Sequence, residues 1–211
     1  MDYSLLEIEL KKRLKFDYFW GRKQFDRFDN ASNFIYEISD FAELIKEVDS
    51  NFKEDSNYLE LKNYTLNRWF NFWSSKAIEN IFCEDNKVNS HPNSKDKFID
   101  FFIENIPFDL KTTVFPKGFK KSIPYAIEHK RELIEWLYAN QSKQKRQHHK
   151  NRLFIVLIQS DNDQEHWKLK AEILWLREVV STYLRNFDSL KLHSFSFENK
   201  IINADIIWAI K

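Results

Sequence analysis

Apolar and polar positions alternate along this chain with two different periods, and the change from one to the other divides it. From Ser4 to about Lys15, and again from Asn33 to about Val48 through Ile38, Phe41, Leu44, Ile45 and Val48, apolar residues recur at helical spacing. Phe16 to Asn30 is aromatic and charged without a clear period, and Asp49 to Asn57 is polar and reads as a linker. Thr65 to Cys83 predicts a long helix, with Leu66, Trp69, Phe70, Trp73, Ala77 and Ile81 on one broad stripe. Beyond a turn-rich segment around Asn86, Asn89 and Pro92, where Val88 can open a short strand, the period shortens to two. Lys97 to Ile103 and Ile106 to Val114 predict strands. The first sets Phe98, Asp100 and Phe102 on one face; the second sets Asp109, Lys111 and Thr113 on one face and Phe108, Leu110 and Thr112 on the other. A loop marked by Pro116, Gly118 and Pro124 leads to a helix from Ala126 to about Gln144. The continuous apolar run Leu153 to Ile158 follows, as expected of a buried central strand. A helix from Glu165 to about Arg185 and strands at Leu192 to Phe197 and Ala204 to Ile210 complete the pattern.

Helix, strands, helix, strand, helix, strands is the order of an α/β layer with a mixed sheet. The reading is therefore a helical N-terminal extension over residues 1–57 and an α/β domain over 58–211.

Composition narrows the chemistry. With 43% hydrophobic and 17% aromatic residues, the 211-residue chain can bury a core. Its only glycines are Gly21 and Gly118, so Gly-rich phosphate loops and dinucleotide fingerprints are excluded. One cysteine, Cys83, rules out an intrachain disulfide or a cysteine-based zinc site, and is expected as a small buried apolar residue. No basic start leads into an apolar run and no long apolar span occurs, so a cytoplasmic protein with no membrane partner is expected. Most tryptophans, among them Trp69, Trp136 and Trp208, fall on apolar faces and read as core; Phe115 and Phe119, in a lysine-rich loop, are candidates for stacking on bases.

Net charge is +1, yet unevenly spread. Eight acids and two lysines fall between Glu37 and Glu60, whereas Leu110 to Ile127 holds four lysines and no acid. Leu137 to Ser160 is also free of acids and carries Lys143, Lys145, Arg146, Lys150 and Arg152. Such a local field can bind phosphates, although it can equally be a solvated face or a basic helix end.

The chemistry concentrates in FIDFFIENIPFDLKTTV. A two-residue hairpin turn at Glu104 and Asn105 pairs Ile103 with Ile106 and sets Asp100 opposite Asp109, about 5 Å apart on one face. Two carboxylates that close favour a cation between them, and Mg²⁺ suits oxygen ligands. Lys111 shares that face and can reach a metal-bound water or a phosphate. The competing reading is a solvated acid face with a simple Asp109–Lys111 pair, which contributes little.

Asp100 followed by Asp109-Leu110-Lys111 resembles the PD-(D/E)XK nuclease superfamily, with Ile99 standing where the first motif usually has proline. The resemblance covers roughly the central half of the chain. It implies a restriction-endonuclease-like core, with a central mixed sheet flanked by helices, and a Mg²⁺- or Mn²⁺-dependent endodeoxyribonuclease with restriction or defence among its expected roles. It implies Asp100, Asp109 and the Leu110 carbonyl as metal ligands, Glu79 on the preceding helix as a further acid, and Lys111 as the residue that positions the attacking water. The phosphate backbone of DNA would rest on Lys117, Lys120, Lys121, Lys143, Arg146, His148 and Arg152. Residues 1–57 would serve a homodimer or a partner protein. The alternative is a catalytically inactive nucleic-acid- or protein-binding module of the same fold.

Overall fold

A computed structural model describes residues 1–19, 27–92, 99–140, 150–197 and 200–211. The chain divides into two units, Met1–Asn80 with Lys170–Trp175, and Ile81–Leu169 with Leu176–Lys211.

The first unit is helical: α1 (Tyr3–Arg13), α2 (Arg27–Ala31), α3 (Phe41–Phe52) and most of α4 (Tyr58–Phe82). Asp2 and Asp40 start two of these helices by accepting the amides of Leu5 and Glu43 at 3.0 and 2.8 Å, which satisfies donors the helix itself leaves open. Indole N–H groups of Trp69 and Trp73 donate to the carbonyls of Ile38 and Ile35 at 2.7 and 2.9 Å. Arg13 is fully buried, and its guanidinium donates to the Phe16 and Asp17 carbonyls and to Asn67 Oδ1.

The second unit is built on a six-stranded mixed sheet: β1 (Val88–Ser90), β2 (Phe101–Ile103), β3 (Ile106–Val114), β4 (Arg152–Ile158), β5 (His193–Phe197) and β6 (Lys200–Ile210), in the order β1-β2-β3-β4-β6-β5. Strands β1, β2 and β3 form an antiparallel meander. β4 then adds parallel to β3, β6 adds parallel to β4, and β5 folds back antiparallel on β6. α5 (Ile123–Glu128) and α6 (Lys130–Asn140) join β3 to β4 and supply Ala126, Leu133, Ile134 and Leu137 to a core with Phe154, Val156, Phe195 and Ile206. On the other side Phe82 stacks on Phe101 at 4.6 Å, and the Tyr183 hydroxyl of α7 (Ile173–Arg185) donates to Asp205 Oδ2 at 3.2 Å. β4 is buried at every position, as its continuous apolar run requires.

β5 covers only part of its neighbour. Its pairing runs from Lys200 to Ala204 of β6, and from Asp205 to Ile210 the outer edge of β6 has no strand partner among the described residues. There the Ile206 amide donates to Asp205 Oδ1 at 2.8 Å.

Several elements depart from the sequence pattern. The expected boundary at residue 57 moves into α4, because the helix starts at Tyr58 and its Trp69 and Trp73 are bonded to the carbonyls that precede α3. The supposed linker is shorter too, since α3 runs on to Phe52. The helix expected from Ala126 to Gln144 is two helices, broken where His129 leaves helical dihedrals, and residues 141–144 lie outside the described set. The stretch from Glu165 begins as 3-10 turns over His166–Ala171 before α7 starts. β2 is confined to Phe101–Ile103; Asp100 is a bend, and Phe98 lies outside the described residues. No described helix is long and apolar enough to cross a membrane.

Candidate active site

The hairpin between β2 and β3 positions the acids. Its turn residues Glu104 and Asn105 have φ of 48° and 69°, the left-handed pair of a type I′ turn, whose twist matches that of the flanking strands. This fixes Ile103 opposite Ile106 and Phe101 opposite Phe108. One step further the regular pairing ends: Asp100 is a bend whose amide donates at 2.9 Å to the carbonyl of Phe108, already the partner of Phe101, so Asp100 does not sit directly opposite Asp109 as the hairpin pattern predicts.

Asp100 then turns its carboxylate to the backbone of β3, where Oδ2 accepts the Leu110 amide at 2.6 Å. A strand residue sends its N–H and C=O to the same side, so the Leu110 carbonyl leaves β3 on the side of Asp100. Asp109 is buried, at 4% exposed. Its Oδ1 accepts from Lys111 Nζ, and its Oδ2 accepts from Arg152 Nε at 2.9 Å. Arg152 is the strand partner of Asp109, because β4 begins at the level of Asp109 in the parallel ladder. Both side chains therefore leave the sheet on the same face.

Tyr138 of α6 completes the cluster. Its ring lies 5.1 Å beneath the Arg152 guanidinium carbon, and its hydroxyl donates to the Lys150 carbonyl at 2.6 Å. Burial pushes the Tyr138 phenol well above its ordinary value, which keeps it a proton donor to that carbonyl. Asn151 stitches the strand starts together: its amide nitrogen donates to the Pro107 carbonyl at 3.0 Å, its Oδ1 accepts the Asn203 amide at 2.8 Å, and its carbonyl accepts the Asp109 amide at 3.0 Å.

The fold thus joins Asp109, Lys111 and Arg152 by ion pairs and binds the Asp100 carboxylate to the Leu110 amide between Asp109 and Lys111 in the chain. Arg152 differs from the expected surface phosphate contact: it is 8% exposed and serves as counter-charge to Asp109. Its signal in the sequence was its place at the head of the apolar run that became β4, yet partnership with Asp109 needed the register of two strands 43 residues apart. Tyr138 gave no signal beyond its apolar helix face.

The remaining expectations scatter. Glu79 lies in the helical unit, in an ion pair with Lys76 at 3.5 Å. Among the described residues no three of His, Cys, Asp and Glu gather into a group that could hold a metal ion. Lys117, Lys120 and Lys121 are exposed, and they follow the carboxyl end of β3; Asp109 lies five residues before Val114, ~17 Å along the strand. Phe115 and Phe119 pack against the core beside Trp136 and are partly buried. Lys143, Arg146 and His148 lie outside the described residues. Cys83 is partly buried. Searches of protein-family models, curated proteins and solved structures find no match to this chain.

Proposed function

We propose that the chain is a metal-dependent phosphodiester hydrolase acting on DNA, with Asp100, Asp109 and Lys111 at its centre. The observation that carries this reading is the hairpin itself: the type I′ turn sets Asp100 beside the Asp109-Leu110-Lys111 segment of β3. The order of elements adds support. A helix, a three-stranded antiparallel meander, a helical crossover and a parallel fourth strand follow one another from α4 to β4, as expected of a restriction-endonuclease-like core.

The donor set suits a hard cation in part. Mg²⁺ takes one or two carboxylates and completes its shell with water and substrate oxygens, so Asp100, Asp109 and the Leu110 carbonyl are the residues that would hold it. When bound, such an ion lowers the pKa of water and offsets charge on the phosphate. Lys111 is 38% exposed at its side chain and sits on Asp109. From there its ammonium can orient the attacking water or meet a phosphate oxygen. Arg152 fixes the second oxygen of Asp109, and Tyr138 holds Arg152 from below.

One observation favours a second reading. Both Asp109 oxygens already carry cationic partners, a balance that suits a structural cluster in a non-catalytic DNA- or protein-binding module.

Cleavage of supercoiled plasmid with Mg²⁺, Mn²⁺ or EDTA separates the two. Metal-dependent nicking by the wild type, abolished in Asp109→Asn and Lys111→Ala while both variants keep the wild-type circular dichroism spectrum, is expected. Folded wild-type protein that cuts under no metal, or variants that cut as well as the wild type, would leave the structural cluster as the correct account.

A further inference from the structure

Beside the acid centre lies an open groove of about 340 Å³, at the level where β4 begins. It is lined by Ile99, Pro107, Lys150, Asn151 and the first residues of β6, Lys200, Ile201 and Ile202. Each wall adjoins the site in the chain: Ile99 precedes Asp100, Pro107 lies two residues before Asp109, and Asn151 precedes Arg152. The groove therefore opens alongside the centre, at the strand end opposite to the exposed lysines that follow β3.

Its chemistry is that of a backbone track. Lys150 and Lys200 are exposed, and no acid occurs among its described lining. Ile201 is 78% exposed, an unusual position for a bulky apolar side chain beside two ammonium groups. The floor is rigid, because Asn151 ties Pro107 of β3 and Asn203 of β6 to the start of β4. Two point charges beside an apolar side chain match a ligand that repeats phosphate with sugar or base. Lysine recognises phosphate as a charge without demanding a set orientation, which positions a backbone without reading sequence.

We propose that this groove seats the sugar-phosphate backbone of a nucleic-acid strand next to the acid centre, with Lys150 and Lys200 on successive phosphates. The proposal rests on the hydrolase reading for its substrate class, but its test does not depend on cleavage. Fluorescence anisotropy with a short labelled DNA strand and its duplex, in EDTA, compares wild type, the double variant Lys150→Glu/Lys200→Glu, and Lys191→Glu as a control on an exposed lysine elsewhere.

The double variant should bind on the order of tenfold more weakly, and its plot of log affinity against log salt should flatten by about 2, since two phosphate contacts release their counterions no longer. Lys191→Glu should bind as the wild type does. Wild type that binds no DNA, a double variant that binds unchanged, or an equal loss in Lys191→Glu would each overturn the proposal. Plasmid cutting with unchanged binding in the double variant removes the groove and leaves the hydrolase reading intact. Binding that depends on the two lysines, without cutting under any metal, does the reverse.

Discussion

Asp109 sits between two cations of unequal burial, and this makes the cluster sensitive to which of them is lost. Arg152 is 9% exposed at its side chain and Lys111 38%. Removing the buried partner breaks a buried ion pair and leaves Asp109 with only the more exposed Lys111, which costs up to roughly 3–5 kcal/mol, whereas a part-exposed lysine contributes about 1 kcal/mol or less. Arg152→Ala should therefore lower unfolding stability far more than Lys111→Ala in urea titrations followed by circular dichroism. Equal, small losses would mean that the Arg152–Asp109 pair is not the anchor of this strand start. The same measurement bears on function, because it separates the residue that holds Asp109 from the one available to substrate. At this scale the sequence was informative where chemistry is local. Asp109 and Lys111 could be put on one face because alternation along a strand is a property of neighbours, whereas Asp100 lies in a bend outside β2, where alternation no longer applies. Arg152 could not be assigned, since its role depends on a parallel register that no local pattern encodes, and Tyr138 looked like any apolar-face residue.

The hairpin is the element on which the candidate site depends. Glu104 and Asn105 both occupy left-handed backbone, which Asn tolerates and Glu does not favour. Replacing the pair with Asn-Gly, the commonest occupants of a type I′ turn, should stabilise the protein by about 0.5–1 kcal/mol. Asn105→Val should destabilise it by about 1–2 kcal/mol and loosen the placement of Asp100, because a β-branched side chain opposes positive φ. Thermal unfolding would register both, and a Val variant as stable as wild type would speak against the turn. This turn was legible because its two residues sit between alternating apolar runs. The break between α5 and α6 was not: His129 ends a helix without glycine or proline to mark it. α4 was underestimated at its start, where Tyr58 to Tyr64 mixes charge with apolar residues and blurs the stripe. Elements were thus readable wherever periodicity and punctuation coincided.

Over the whole molecule, the α/β class followed from the order of helical and strand periods, with the apolar run LFIVLI as its buried central strand. The sheet order did not follow from it. That β6 lies inside and β5 outside is set by long-range pairing, and the two-unit division is set by packing of α4 that crosses any linker-based boundary. The short reach of β5 has an effect on how copies of this protein treat one another. Past Ala204 the edge of β6 reads Ile206, Ile207, Trp208, Ala209 and Ile210, the composition of a strand that recruits further strands into fibrils. Asp205 acts as a gatekeeper there, because its carboxylate, held by Lys130 at 2.8 Å and by the Tyr183 hydroxyl, occupies the first outward amide. Asp205→Ala should scatter light on incubation at a temperature where it remains folded, and Asp205→Asn, which keeps the amide acceptor, should scatter less. An Ala variant as monodisperse as the wild type would show the edge to be harmless. Scattering by the Ala variant would make the two aspartates of one sheet answer for different things, Asp109 for the ionic cluster at the strand starts and Asp205 for keeping copies of the protein apart.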